Sequence, residues 1–477
     1  MSLMDRTATE LSHLIASRQV KPSEVMAAYL ARLPAVNAAI NAIVAPRDPD
    51  ALMAEATALD EVPPAGWLHG LPLAVKDLVS VRGIRTTFGS PLHRDNVPAQ
   101  DDLLAARLRS AGAIFTGKTN TPEWGHGSHS FNPVYGVTRN PYDTQRAAGG
   151  SSGGAAAALA ARLVPVADGS DMMGSLRNPA AFCNVYGFRP SWGLVPGDAD
   201  GDTFMATLAT DGPMARTVED LAHLLETLAG ENPEVPFGRP TAPYAAQLDI
   251  DLSDLRVGWL GDWGGAYRCE PGILDLCRRG LGVLEDLGAR IDVLAPPFPA
   301  EELWTAWTHL RGFLNNGSKG ALWADPAKRA QLKPETVWEI ESGQAITAAQ
   351  VYAASLTRSR WYAKAAALFT QYDVLVMPSA QVWPFPAEWR WPQAINGHAM
   401  DTYHRWMEIV VPVSLIGLPS LGVPCGFGPQ GLPMGMQIIG ATGTDARVLA
   451  VGHHYHQATR WPEHKPPLLA AAETAAS

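Results

Sequence analysis

The sequence predicts an α/β protein, and three observations carry that prediction. Residues 255–260, 273–287 and 290–294 read in succession as strand, amphipathic helix and strand. Residues 101–110 read as an amphipathic helix stopped by Gly112, and Ala113-Ile-Phe-Thr116 follows as a strand. The 44 glycines and 39 prolines are spread along the chain, which marks many tight connections between regular elements rather than one disordered stretch. A chain of 477 residues buries a large core, and length alone allows two or three domains.

Thr7-x-x-Glu10 is a capping-box pattern, and Leu11, Leu14 and Ile15 follow it on one helical face. Pro22 opens a second helix with Val25, Met26, Tyr29, Leu30 and Leu33 as its apolar stripe, a packing face. A third helix starts within 46–54 and ends before Pro63-Pro64. Residues 70–81 are the first strongly apolar strand segment, and they carry Lys76 beside Asp77. Two readings of Lys76 compete: an ion pair at a strand end, and a buried lysine used in chemistry. Residues 112–119 spell the phosphate-loop pattern GxxxxGK[ST], but such a loop follows a strand and opens a helix. Here the variable residues themselves read as a strand and a helix precedes them, so nucleotide binding is not expected. The loop at 124–143 holds His126 and His129 at a metal-like spacing, with no cysteine or carboxylate cluster to complete a site.

Residues 147–190 organise the rest. Ser151 lies in Gly149-Gly-Ser-Ser-Gly-Gly154, and Ser175, 24 residues on, in Asp171-Met-Met-Gly-Ser-Leu-Arg177. A helix at 155–162 and an apolar run at 163–167 lie between them. Glycines beside a hydroxyl let backbone N–H groups approach a ligand atom, as a nucleophilic serine's oxyanion requires. This segment resembles the signature of the amidase signature family, serine hydrolases with a Ser-Ser-Lys triad. Leu71-Pro-Leu-Ala-Val-Lys76-Asp77 is similar to the family's lysine strand. Asn41-Ala-Ile, Gly117-Lys-Thr-Asn120, Asn140-Pro141 and Gly431-Leu-Pro-Met-Gly-Met-Gln437 resemble further landmarks.

The resemblance implies a single amidase domain over 1–477, with a large mixed β-sheet core surrounded by α-helices. Its signature core spans about 70–230. It implies Ser175 as nucleophile, Ser151 as a bridging serine held by a cis peptide, and Lys76 as base. Backbone N–H groups of Met172, Met173, Gly174 and Ser175 would form the oxyanion hole, with Gly150, Ser152, Ser170, Asp171 and Arg177 in support and Arg177 bracing the loop. One departure stands out: the family places two glycines before the nucleophile, and this chain has Met173 and then Gly174. Either φ is negative there and methionine fits, which we favour, or the hole is rearranged. By the same resemblance the 124–143 loop lies near the active site, so His126 and His129 either touch substrate or sit on the loop surface.

Residues 190–213 read as loop and strand closing the signature region. A helix at 217–228 begins at Thr217-x-x-Asp220 and ends at Gly230, and the prolines of 233–243 mark a linker. Between 301 and 406 the composition changes, with nine of the 15 tryptophans. Trp304 and Trp307 share a helix face, and Trp383 stands beside a Pro-rich loop at 384–392. A single tryptophan is most often core filler. A cluster on Pro-rich loops reads as superficial and functional, so the region at about 300–410 reads as the variable substrate side, with Met173, Trp304, Trp307 and Trp383 in the pocket. Residues 373–378 read as a buried strand, 418–440 as strands with Gly-Pro turns, 445–456 as a last helix, and 470–477 as a tail.

A net charge of −10 argues against a nucleic-acid surface. No signal peptide is read at the N-terminus, and the longest nearly uncharged run, 409–428, holds three prolines, so no membrane span is expected. The four cysteines lack a zinc pattern and read as free thiols of a reducing compartment. The expectation is therefore a cytoplasmic amidohydrolase, monomer or homodimer, without metal or organic cofactor. Its substrate would be a small-molecule amide or carbamate (urethane), hydrophobic or aryl in character. Two alternatives stay open: the amidase subunit of a tRNA-dependent amidotransferase, and a silent binding protein of the same fold.

Overall fold

The structure is a computed structural model, which describes residues 2–199 and 201–470. The tail read at 470–477 lies outside the described residues except for Ala470. Helix α1 (Ala8–Ala16) starts at the expected capping box, in which Thr7 and Glu10 satisfy each other's backbone N–H groups. Pro22 opens α2 (Pro22–Ile40), and α3 (Pro49–Leu59) starts three residues later than the lower bound read from the sequence, where Asp48 caps it.

The large mixed sheet expected at the core is present, and a smaller three-stranded sheet stands beside it. A three-stranded sheet joins Ile43–Val44, β1 (Pro72–Lys76) and β2 (Ile114–Thr119), with β2 in the middle, parallel to β1. Helix α4 (Leu103–Ser110) precedes β2. The phosphate-loop letters therefore lie along a strand, and Lys118 Nζ donates to the Val79 carbonyl in the interior.

The larger sheet has eight strands. In chain order these are β3 (Val166–Asp171), β4 (Tyr186–Arg189), β5 (Thr210–Ala215), β6 (Arg256–Trp259), β7 (Arg290–Val293), β8 (Val374–Pro378), β9 (Ser420–Phe427) and β10 (Pro433–Ile439). Their spatial order is β7-β6-β8-β10-β9-β4-β5-β3. The pairs β6–β7 and β6–β8 are parallel and the others antiparallel, so the sheet is mixed. Packed on these sheets are α5 (Gly153–Ala160), α6 (Arg177–Cys183), α7 (Val218–Leu228), α8 (Ile273–Asp286) and α12 (Asp445–Thr459). Every residue of α5 is buried, and its small side chains let the sheets come close on both sides.

Helices α10 (Pro334–Gln344) and α11 (Ala348–Leu368) both pack on α9 (Ala300–Ala324). Of these, only the helix face of Trp304 and Trp307 was readable in the sequence. Helix α11 buries just Ala354, Trp361 and Ala365, so its apolar stripe is too thin to read as a period. Helices α9 and α10 meet at glycines: a Cβ on Gly343 would lie 2.1 Å from the Gly312 carbonyl oxygen. All four cysteines are free, and no helix of the described residues is long and apolar enough to cross a membrane.

Candidate active site

Strand β1 is buried along its whole length and ends at Lys76, which is 1% exposed. Its Nζ lies 2.8 Å from Ser151 Oγ, 2.8 Å from Ser152 Oγ and 2.9 Å from Ser170 Oγ. Asp77 is not its partner; that carboxylate accepts from the Thr87 N–H at 3.0 Å and the Thr87 hydroxyl at 2.5 Å. The strand-end ion pair is therefore not the arrangement found. Burial pushes the Lys76 ammonium down to about 8, with Asp211, Asp168 and Asp171 opposing that fall. Asp168 also ties the two sheets together, since its carboxylate accepts the Lys76 N–H at 3.0 Å and 3.2 Å.

The Gly150–Ser151 peptide bond is cis. Ser128 Oγ donates to the Gly150 carbonyl at 2.6 Å, and Ser130 Oγ to the Ser151 carbonyl at 3.2 Å, so the turn is held from the 124–143 loop. Ser175 sits between β3 and α6, 7% exposed, with its carbonyl accepting the Ser152 N–H at 3.2 Å. Ser151 and Ser175 line one cavity, and no hydrogen bond joins their hydroxyls among the described residues.

The loop before Ser175 is fixed by Asp171. Arg177 donates to it through Nε and Nη2, both at 2.9 Å, and Arg189 Nη1 lies 3.2 Å away. Burial alone would raise the Asp171 carboxyl, but the two guanidiniums outweigh it and hold it well below the usual range. Arg177 thus braces the loop, also through Gln437 Oε1 at 2.7 Å and Ser414 Oγ at 2.7 Å.

Asp171 Oδ1 also accepts the Gly174 N–H at 2.9 Å, which corrects the expected oxyanion hole. An N–H already donating to a buried carboxylate is not free for a developing oxyanion. The N–H groups of Met172, Met173 and Ser175 have no protein partner among the described residues. Met173 is not among the residues with positive φ, so methionine fits there without strain. Gly174 takes the turn instead, at φ 79°, and a Cβ on it would lie 1.9 Å from Asn178 Oδ1.

The cavity holds about 270 Å³ and is lined by Ser151, Ser170, Met172, Met173, Ser175, His126, Trp124, Leu78, Asp211, Arg311, Asn315, Lys319 and Met407, among others. The structure separates the remaining predicted pocket residues from it. His129 is buried, with Nε2 2.9 Å from the Ala387 carbonyl oxygen. Trp307 is fully buried in the core. Trp304 lines a second cavity with Trp338 and His404, beyond Arg311 and Glu339. Trp383 lines a surface cleft with Glu270 and Gln430. Tryptophan content marked the region but not the wall, because a large ring serves a core or a cleft equally well.

Asp211, Arg311, Asn315 and Lys319 were not singled out from the sequence. Asp211 pairs with Ser170 across β5 and β3, which places it in the cavity wall. Burial lifts its carboxyl to about 7, aided by Asp168 and opposed by Lys76. The other three recur every four residues on α9, a polar stripe that was present in the sequence. His126 bridges to that stripe, with Nδ1 3.0 Å from Thr336 Oγ1 and Nε2 3.1 Å from Asn315 Oδ1. Burial pushes it down to about 3, so its ring is neutral at physiological pH.

Residues 24–449 match the family model for amidase. The chain belongs to the amidase family. An acylamidase of Rhodococcus erythropolis is 34% identical over 470 residues, covering 96% of this chain and 97% of that protein. A glutamyl-tRNA(Gln) amidotransferase subunit of Thermosynechococcus vestitus is also 34% identical, over 489 residues, covering 96% and 99%. Among solved structures, a bacterial aryl acylamidase of the amidase signature enzymes superposes with a TM-score of 0.90 at 28% identity, covering 97% of this chain and 98% of that one. This amidase is a hydrolase of carbon–nitrogen bonds other than peptide bonds.

Proposed function

We propose that this amidase cleaves small hydrophobic or aryl amides or carbamates through a Ser175 acyl-enzyme, with Ser151 and Lys76 as its proton relay. The observation that carries the reading is Lys76 Nζ at 2.8 Å from Ser151 Oγ, in the wall that also holds Ser175. A serine hydroxyl attacks only when a base takes its proton. Lysine serves only when neutral, and a group brought down to about 8 is about one-tenth neutral at pH 7.

In the relay, Ser175 Oγ attacks the scissile carbonyl carbon and gives its proton to Ser151 Oγ. Ser151 passes its own proton to Lys76 Nζ. The oxyanion is met by backbone N–H groups of Met172, Met173 and Ser175. On collapse the C–N bond breaks and the proton returns along the same wire to the leaving nitrogen. Water then attacks the acyl carbon, and Ser175 leaves with a proton. The first link tightens when substrate fills the cavity, as catalytic contacts commonly do.

We read the chain as one amidase domain. Its four free thiols support a reducing, cytoplasmic setting. The negative φ side of Met173 removes the one feature that favoured a silent binding protein. The amidotransferase reading has support of its own in the 34% identity to the Thermosynechococcus vestitus protein. The TM-score of 0.90 to the aryl acylamidase supports the free-standing hydrolase.

The test is hydrolysis of an acyl anilide, a primary aliphatic amide, an aryl carbamate and glutamine. Turnover of the anilide or carbamate should vanish in Ser175→Ala and fall at least ~10²-fold in Ser151→Ala and in Lys76→Ala. Near-normal rates in Lys76→Ala would remove the relay. Activity on glutamine alone would favour the amidotransferase reading.

A further inference from the structure

One face of α9 carries Arg311, Asn315 and Lys319, and all three line the cavity of Ser151 and Ser175. Their hydrogen-bond capacity is not filled. Asn315 Nδ2 donates to Glu339 Oε2 at 2.9 Å, so its Oδ1 is an acceptor. That oxygen lies 3.1 Å from His126 Nε2 and accepts, at a long 3.4 Å, from Lys319 Nζ. Lys319 has one other contact, Ser318 Oγ at 3.2 Å. An ammonium has three donors, and no carboxylate pairs with this one among the described residues.

Arg311 is similar. Nε donates to Glu339 Oε1 at 2.6 Å and Nη2 to the Tyr403 hydroxyl at 2.9 Å. Nη1 finds only Met172 Sδ at 3.1 Å, and a thioether is a weak acceptor. The charges leave a surplus: Arg311 offsets Glu339, His126 is neutral, and Lys319 stays unbalanced. The cavity's acidic wall group, Asp211, lies beside Ser170 on the triad side and not on α9.

We propose that the α9 wall is a subsite for a carboxylate carried by the amide substrate, with Lys319 Nζ and Arg311 Nη1 as its donors. This rests on the hydrolytic reading above. The carboxylate sits on either the acyl part or the leaving amine, and the substrates separate the two. Burial has pushed the Lys319 ammonium down to about 8, and a bound carboxylate offsets that loss of hydration.

The experiment compares kcat/KM of the full-length enzyme on glutaric acid mono-4-nitroanilide against valeric acid 4-nitroanilide, and on 4-acetamidobenzoate against acetanilide. One carboxylate-bearing member should exceed its neutral counterpart at least ~10-fold, the worth of one charge-assisted contact. That ratio should collapse in Lys319→Met, return in Lys319→Arg and shrink as salt is raised. Ratios at or below one for both pairs, or a preference unchanged in Lys319→Met, would overturn the subsite. Calorimetric binding of the same four compounds to Ser175→Ala, with and without Lys319→Met, reads the subsite apart from turnover. Hydrolysis of neutral anilides with no carboxylate preference removes the subsite and leaves the hydrolase. Carboxylate-selective binding without turnover does the reverse.

Discussion

Lys76 is surrounded by hydroxyls and lacks a carboxylate in contact, so burial governs its protonation. Its pKa in the folded chain, about 8, lies below that of a free lysine. Between the two values the unfolded chain binds the extra proton, so this residue's contribution to stability rises with pH across that window and is unfavourable at pH 7. Under the proposed relay catalysis has the same direction, because only the neutral amine accepts a proton. We expect kcat/KM on an anilide to climb with pH and level off above about 8, measured over pH 6–10. Asp211 is the carboxylate that most opposes the fall in Lys76. Asp211→Asn should therefore move the rising limb to lower pH, and a limb that moves up or stays would contradict the assignment. Lys76, Ser151 and Ser175 were legible in the sequence because the glycine-flanked serines and the lysine strand resemble the family's motifs. Asp211 was not, because only the pairing of β5 with β3 puts it beside Ser170.

At the level of elements, the loop between β3 and α6 is held by a carboxylate between two guanidiniums. Asp171, Arg177 and Arg189 have no exposed side-chain surface. Removing one partner of such a buried group leaves an unpaired charge, at about 3–5 kcal/mol. Arg177→Met should lower the free energy of urea unfolding by about that amount and depress kcat more than KM, since the proposed oxyanion donors lie on the braced loop. Loss of turnover with unchanged stability would point to direct contact with substrate instead. The depressed Asp171 pKa has its own sign: its stabilisation is full above the unfolded carboxylate range of about 4 and is lost as pH falls toward the folded value. The bracing role of Arg177 was readable from the motif. The engagement of the Gly174 N–H by Asp171 was not, since it depends on a turn at φ 79°.

For the molecule as a whole, the cavity of Ser151 and Ser175 is lined by several distant segments of the chain. It draws on Leu78 just after β1, the turn before α5, the loop before α6, strand β5 and helix α9. We expect the protein purified alone to hydrolyse an anilide at a rate that added amidotransferase partner proteins do not change, measured beside its elution volume on gel filtration. Activity appearing only with such partners would favour the amidotransferase reading. Most strands and the capped helices matched their sequence expectations, because period, proline and caps act locally. Division of the core into two sheets, and the pair α10 and α11, were not legible. Helix α11 is alanine-rich and thinly buried, and α10 buries polar Glu335, Thr336 and Glu339 beside Ile340, so neither shows an apolar period, and strand order depends on contacts distant in the chain.

The sequence by itself determined the α/β class and the family, and through the family resemblance it pointed to Lys76, Ser151 and Ser175. Those follow from local patterns: glycines around two serines, an apolar strand ending in lysine, and the spacing between them. Tertiary structure decided which groups face the reacting atoms. It put His126 at the cavity and His129 in the interior, replaced the expected tryptophans with Arg311, Asn315 and Lys319, and engaged the Gly174 N–H with Asp171. Side-chain type tells what a residue can do. Only packing across elements, with the desolvation and hydrogen-bond partners it imposes, settles which residues meet and in what protonation state.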